Sequence, residues 1–179
     1  RQVIEFCREG FLTLEGAVEA GVTDRAIEYC HAHPEDRELS VLLEEDWCVD
    51  GILLAPAVAG AVRSLLGAGF GLSPFVANHI GECPDPDPLG WHVDGGNVHT
   101  FALNYLQVFC LPQDTTVEMG PTEILPGSHF LPELCPEVLS ETLSLTVPPG
   151  SFVLLHSALW HRGTPEMAGL RRIMVKLNY

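Results

Sequence analysis

Apolar positions change their period part-way along the chain. Before residue 70 the spacing is helical. Val3, Ile4 and Phe6 precede Gly10, and Thr23 or Asp24 is placed to cap a helix carrying Ala26, Ile27 and Tyr29 that must end before Pro34. Val58, Val62, Leu65 and Leu66 recur at helical spacing from Pro56, a tolerated first-turn proline, to Gly67. Residues 11–14, Phe-Leu-Thr-Leu, form a strand-like run, and the polar, acidic stretch 33–46 is expected to be a surface loop or short helix.

From Pro74 onward the apolar runs are short and punctuated by turn residues. Strands are predicted at 75–80, 101–111, 122–125, 143–147, 151–155 and 172–177. Between the first two, Cys83-Pro84-Asp85-Pro86-Asp87-Pro88 excludes a central strand, because three prolines remove ladder donors. Helices followed by six or more short strands predict an α+β, mainly β chain whose core is a β-sandwich or jelly roll. The 179 residues fit one domain at the usual ~100–200 residues per domain. Within it, residues 1–70 would be mainly helical support and 74–179 the jelly-roll core.

Composition narrows the function classes. Nine Lys+Arg against 24 Asp+Glu give a net charge of −15, a surface that repels phosphate backbones and argues against nucleic-acid binding. No run approaches the ~18–20 apolar residues of a membrane span. The opening Arg1-Gln2-Val3-Ile4-Glu5 carries an acid where a signal peptide would carry its apolar stretch. Six scattered cysteines with no CxxC read as reduced thiols, so the expectation is a cytoplasmic protein with a small-molecule partner, not a nucleic-acid or membrane one.

Three clusters could carry chemistry. In Trp91-His92-Val93-Asp94, alternation along an extended segment puts His92 and Asp94 on one face. With a distant histidine they would make the 2-His-1-carboxylate set of non-haem Fe(II) oxygenases, which leaves open coordination positions. Gly95 and Gly96 permit close approach at a rim. Near the C-terminus His156 ends an apolar strand and His161 opens the next turn, and the residues alone leave both open as the third ligand. Arg171-Arg172 then enters the last apolar strand. An arginine inside an apolar strand is costly unless it meets an anion, and its fork suits either a ligand carboxylate or an Asp or Glu in a rim salt bridge; the two arginines lie on opposite faces, so only one can serve as an anion anchor. The third cluster, Gly120-Pro121-Thr122 through Pro126-Gly127-Ser128-His129, is a strand ended by a Pro-Gly turn.

Taken in order, with Cys7-Arg8-Glu9-Gly10-Phe11-Leu12-Thr13-Leu14 at the start, Leu65-Leu66-Gly67 and the closing Trp160-His161-Arg162-Gly163 to Arg172, these pieces resemble the phytanoyl-CoA dioxygenase (PhyH) family of Fe(II)/2-oxoglutarate oxygenases. The resemblance implies a double-stranded β-helix with helices packed outside one sheet. It assigns iron to His92, Asp94 and His161 and the distal 2-oxoglutarate carboxylate to Arg172, the family's spacing favouring His161 over His156 and Arg172 over Arg171. It also places Asn78 towards the cosubstrate. Gln107 and Phe109, on one strand face, and Thr122, at the next strand's start, are placed to line the same pocket. The implied cofactors are Fe(II), 2-oxoglutarate and O₂, with succinate and CO₂ released as a substrate is hydroxylated. The presence of Asp94 argues against halogenation, since halogenating relatives replace this carboxylate with a small residue.

The chain departs from some relatives at Gly163, where they carry a hydroxyl residue; Thr164 stands next door. The acidic surface favours a small neutral or cationic metabolite over an acyl-CoA. His129 reads as a structural hydrogen-bonder, His79 as facing away from the pocket, His99 as a substrate contact or loop cap, and Trp91 and Trp160 as core. The competing readings are a cupin-like metal enzyme using His156 and His129, and a catalytically silent binding module.

Overall fold

The computed structural model describes residues 1–33, 42–72, 79–83 (backbone), 90–94, 102–103, 105–134, 141–165, 169–170 and 172–179. Its elements are α1 (Gln2–Glu9), β1 (Phe11–Leu14), α2 (Ala20–Ala32), a helical segment Asp46–Leu53 whose second part is a π-turn, α3 (Pro56–Leu66), β2 (His79–Cys83), β3 (Leu106–Leu111), β4 (Thr122–Ile124), β5 (Leu143–Ser144), β6 (Ser151–His156), β7 (His161–Gly163) and β8 (Arg172–Asn178). Two antiparallel sheets result, one ordered β1-β6-β3-β8-β2 and one ordered β5-β4-β7. This is the α+β architecture expected, with the helices outside the larger sheet, although among the described residues helix and strand are about equally represented rather than mainly β.

Alternation along the central strands sorts their side chains into two cores. Leu106, Val108 and Cys110 of β3, Phe152 and Leu154 of β6, and Ile173, Val175 and Leu177 of β8 pack with Phe6, Ala26, Ile52, Val58 and Val62 of the helical layer. The opposite face supplies Phe109, Leu111, Val153, Leu155 and Met174, which meet Ile124, Leu145, Val147 and Leu159 between the sheets. Leu106, Leu154 and Leu155 are fully buried, and truncating any of them to alanine should cost roughly 2–5 kcal/mol. Residues of β3 and β8 that share the parity of Phe109 and Met174 therefore face the interior between the sheets.

Several boundaries differ from those predicted. The second helix starts at Ala20 rather than after Thr23 or Asp24, with Glu19 as an N-cap that makes no side-chain cap bond. Thr23 lies within the first turn and donates its hydroxyl to Ala20 O. Pro56 is the first residue of α3, as expected. The N-terminal third also contributes β1, whose Phe11 pairs with Leu155 and adds an edge to the larger sheet. The strand predicted at 101–111 begins only at Leu106, and the run at 143–147 divides into β5 and a Thr115–Val147 bridge. His161 begins β7 instead of opening a turn. Residues 75–78, and with them Asn78, lie outside the described residues, as do the proline run 84–88, Gly95, Gly96, His99 and Arg171.

The end of α1 is fastened to the rest of the fold by its carbonyls. Gly10, at φ 78°, turns the chain out of the helix into β1. Gly127 N donates to Glu9 O at 2.7 Å and His156 N to Gly10 O at 2.8 Å. His129 Nε2 donates to Cys7 O at 3.1 Å. Two of the recognisable motifs, the one around Gly10 and the Pro-Gly-Ser-His turn, are thus two sides of one joint. No single helix among the described residues is long and apolar enough to cross a membrane.

Candidate metal centre

A single pair of backbone hydrogen bonds brings the two distant histidines together. His92 N donates to His161 O at 2.9 Å and His161 N to His92 O at 3.0 Å, an antiparallel bridge that lays the His92 segment beside β7. Residues facing each other across such a pair project to the same side. Their ring centroids are 4.3 Å apart. Asp94, two residues beyond His92, falls on that side as well. Its Oδ1 lies 3.6 Å from His92 Nε2 and 3.9 Å from His161 Nε2.

The orientation of both rings is set by their own chain. His92 Nδ1 lies 2.7 Å from Gly90 O, and His161 Nδ1 lies 2.9 Å from Leu159 O, in each case the carbonyl two residues earlier. A carbonyl can only accept, so Nδ1 carries a hydrogen in each ring and Nε2 is the nitrogen on the Asp94 side. That is the arrangement by which histidine ligands are oriented for a metal. Among the described residues, His92, Asp94 and His161 are the one group whose ligand atoms all lie within 4.8 Å of one another as a possible metal site.

Charge and burial reinforce this. His161 is almost fully enclosed, and that burial, only partly offset by its hydrogen bond to Leu159 O and by Asp94, takes its pKa down to about 4, so the ring is neutral near pH 7. Burial alone would raise the Asp94 carboxyl, but the Lys176 ammonium and its hydrogen bond, together with the imidazoles, outweigh it and hold the carboxyl below its usual value. Asp94 is thus an anion beside a neutral His161, with His92 bringing a second ring nitrogen to the same carboxylate, a set of donors suited to a divalent ion.

Around this group stand the other residues singled out from sequence. Gln107 is fully buried and donates from Nε2 to Asp94 Oδ2 at 2.6 Å. Phe109 lines the same interior face. Arg172 is 3% exposed, with Nε bound to Gly120 O at 3.2 Å, Nη2 to Thr122 Oγ1 at 3.2 Å and Nη1 against Met174 Sδ at 3.6 Å. Thr122 stands two residues along β4 from Ile124, the partner of His161, so the guanidinium anchor is displaced by roughly 7 Å along the strand from the histidine level. Thr164 donates to Pro121 O at 2.6 Å, which fastens it to the backbone.

Other candidates have different work. His156 has the parity of Phe152 and Leu154 and faces the helical layer, where it stacks near Phe6 and its Nδ1 accepts from Ala158 N. His129 sits beside it, ring centroids 4.9 Å apart. Among the described residues neither belongs to a group of three possible ligands. Arg162 pairs with Glu123 at 2.6 Å and lies over the Trp91 ring, bracing the outer side of β7, while Trp160 Nε1 donates to Leu131 O.

Sequence reading passed over Lys176 and Tyr105. Lys176 Nζ reaches Asp94 Oδ2 at 2.6 Å. Its position was readable from alternation, since residues 172, 174 and 176 of one strand share a face. Tyr105, just ahead of β3, has its hydroxyl pushed up by burial and by Asp94, against a lowering contribution from Gln107.

The family model for phytanoyl-CoA dioxygenase (PhyH) matches residues 23–174. The chain belongs to the PhyH family. Solved structures of similar fold include EctD from S. alaskensis with Fe bound, at 21% identity and a TM-score of 0.77, covering 99% of this PhyH chain and 75% of that one. Another is the non-heme alpha-ketoglutarate-dependent epimerase SnoN from nogalamycin biosynthesis, at 16% identity and TM-score 0.79, covering 99% and 81%. A third is HygX from Streptomyces hygroscopicus with nickel and 2-oxoglutarate bound, at 15% identity and TM-score 0.78, covering 99% and 84%. At these identities the likeness is one of fold.

Proposed function

We propose that this PhyH-family protein is a non-haem Fe(II)/2-oxoglutarate-dependent dioxygenase that hydroxylates a small-molecule metabolite in the cytoplasm, with residues 1–179 acting as one domain. The observation that carries this reading is the convergence of His92 Nε2, His161 Nε2 and Asp94 Oδ1 with both Nδ1 atoms held by carbonyls. Two imidazoles and one carboxylate on a single face are the donor set of Fe(II) oxygenases. The residues present therefore fit the metal. When bound, iron and 2-oxoglutarate supply the oxidising chemistry, with the cosubstrate converted to succinate and CO₂.

The protein's own residues would then have distinct tasks. His92, Asp94 and His161 hold the metal and leave the opposite side open. Arg172, a cation buried with its fork already oriented by Gly120 O and Thr122 Oγ1, would receive the distal carboxylate of 2-oxoglutarate. Gln107 and Thr122 complete this wall, with Asn78 the remaining sequence candidate for the cosubstrate. Phe109, Met174 and Leu155 exclude water from the interior behind the site. The neighbouring structures include an enzyme described as an epimerase and one described as a non-heme monooxygenase, so the fold hosts more than one oxidative outcome. Retention of Asp94 favours hydroxylation over halogenation here.

Fe(II)-dependent conversion of 2-oxoglutarate to succinate by the purified protein tests the reading. Slow uncoupled turnover, abolished in Asp94→Ala and stimulated by a true substrate, is expected. Absence of any turnover with iron demonstrably bound would refute it.

A further inference from the structure

Both oxygens of Asp94 are committed, in opposite directions. Oδ1 faces the two imidazole Nε2 atoms. Oδ2 receives two short hydrogen bonds of 2.6 Å, one from Gln107 Nε2 and one from Lys176 Nζ. The lysine is no flexible surface group. Its side chain is 15% exposed, it sits on β8 opposite Phe109, and its ammonium lies 5.9 Å from the centre of that ring. Gln107 is anchored on the adjoining strand β3 and is fully buried. Two donors on two hydrogen-bonded strands therefore grip one oxygen of one carboxylate.

We infer that Lys176 is a positioning residue that keeps Asp94 a one-oxygen ligand and shifts the preference of the centre from bare metal towards metal carrying an anionic chelator. This rests on the oxygenase reading above. Two physical effects act in the same direction. The hydrogen bonds to Oδ2 oppose rotation of the carboxylate into a two-oxygen grip, which would consume a coordination position that 2-oxoglutarate needs. The ammonium also neutralises Asp94, leaving a less negative site for a bare divalent cation and a more positive one for a dianion. A purely structural lysine would affect stability and leave the relative affinities for metal and cosubstrate unchanged.

Calorimetric titration with Co(II), then with 2-oxoglutarate on the Co(II)-loaded protein, separates the two affinities without requiring turnover. Wild type, Lys176→Met and Lys176→Gln are compared, each checked for native secondary structure by circular dichroism. In Lys176→Met, Co(II) affinity should be unchanged or up to about tenfold tighter and 2-oxoglutarate affinity at least about tenfold weaker, with Lys176→Gln in between because it keeps a donor without the charge. The inference is overturned if 2-oxoglutarate affinity stays within twofold of wild type, or if Lys176→Met loses Co(II) and 2-oxoglutarate in parallel. Failure of the wild-type Co(II) protein to take 2-oxoglutarate would instead overturn the oxygenase reading and this inference with it.

Discussion

Among the described residues two pairs of histidines have ring centroids less than 5 Å apart, and they do opposite things. His92 and His161 are 4.3 Å apart, and each gives Nδ1 to a carbonyl of its own segment, so that both Nε2 atoms meet a carboxylate. His129 and His156 are 4.9 Å apart, and their ring nitrogens serve the backbone: His129 Nε2 bonds Cys7 O and His156 Nδ1 accepts from Ala158 N. Closeness of two imidazoles thus says little about metal binding. What separates a ligand pair from a structural pair is which nitrogen the local chain occupies and what the other one faces.

The largest effect that separates the pairs concerns metal affinity. His161→Ala should lower Fe(II) or Co(II) affinity by more than the ~10–100-fold typical of losing an outer partner, while His129→Ala should leave it within about twofold, both read by calorimetry. A similar loss in the two variants would erase the distinction between the pairs.

Next comes the joint that His129 and His156 help to form. Gly10 combines a φ of 78° with close packing, since a Cβ there would lie 2.5 Å from His129 Nδ1 and 2.7 Å from Leu159 Cδ1. Gly10→Ala should destabilise the protein by roughly 1–2 kcal/mol for the left-handed backbone plus about 1–3 kcal/mol for overpacking, measured by urea denaturation. Its metal affinity should not change. A neutral effect on stability would show that the joint is looser than its contacts indicate.

The smallest effect is one of pH. With its folded pKa lowered to about 4 by burial, His161 binds a proton less readily in the folded chain than in the unfolded one, where ~6.5 applies. Between these values the unfolded state holds more protons. Stability of the metal-free protein should therefore fall as pH drops from about 6.5 to about 4, by up to roughly 3 kcal/mol, and be insensitive to this group above that window. Denaturation curves of wild type and His161→Phe across pH 4–7.5 check this, the variant giving the flatter profile. Asp94, held below its ordinary carboxylate range, acts at lower pH than this window.

Much of this centre was legible in the sequence because the HxD pair needs only extended backbone to put both side chains on one face. The competition between His156 and His161 was not decidable from the residues alone, and β6 shows why. All six of its residues are buried, three against the helices and three between the sheets, so hydrophobic alternation carries no sign of which face is which. The family's spacing favoured His161, and it is His161 that the bridge to His92 brings beside Asp94. The start of α2 escaped for a different reason, since Glu19 offers no capping side chain and the hydroxyl of Thr23 points back into the first turn. Lys176 carries no motif of its own in the sequence, although the same alternation places it on the inner face with Arg172. The acidic composition suggested a neutral or cationic substrate, yet Lys176 pairs with Asp94 and Arg172 is buried further along the same face of β8, two inward cations that net charge could not reveal.

The most direct test is an anaerobic titration of the metal-free protein with Fe(II) and 2-oxoglutarate, followed by visible absorption. A weak charge-transfer band from the chelated cosubstrate should appear in wild type, be weakened in Arg172→Ala, and be absent in Asp94→Ala and His161→Ala. Iron binding without a band in wild type, or a band undiminished in Asp94→Ala, would contradict a metal centre built from His92, Asp94 and His161.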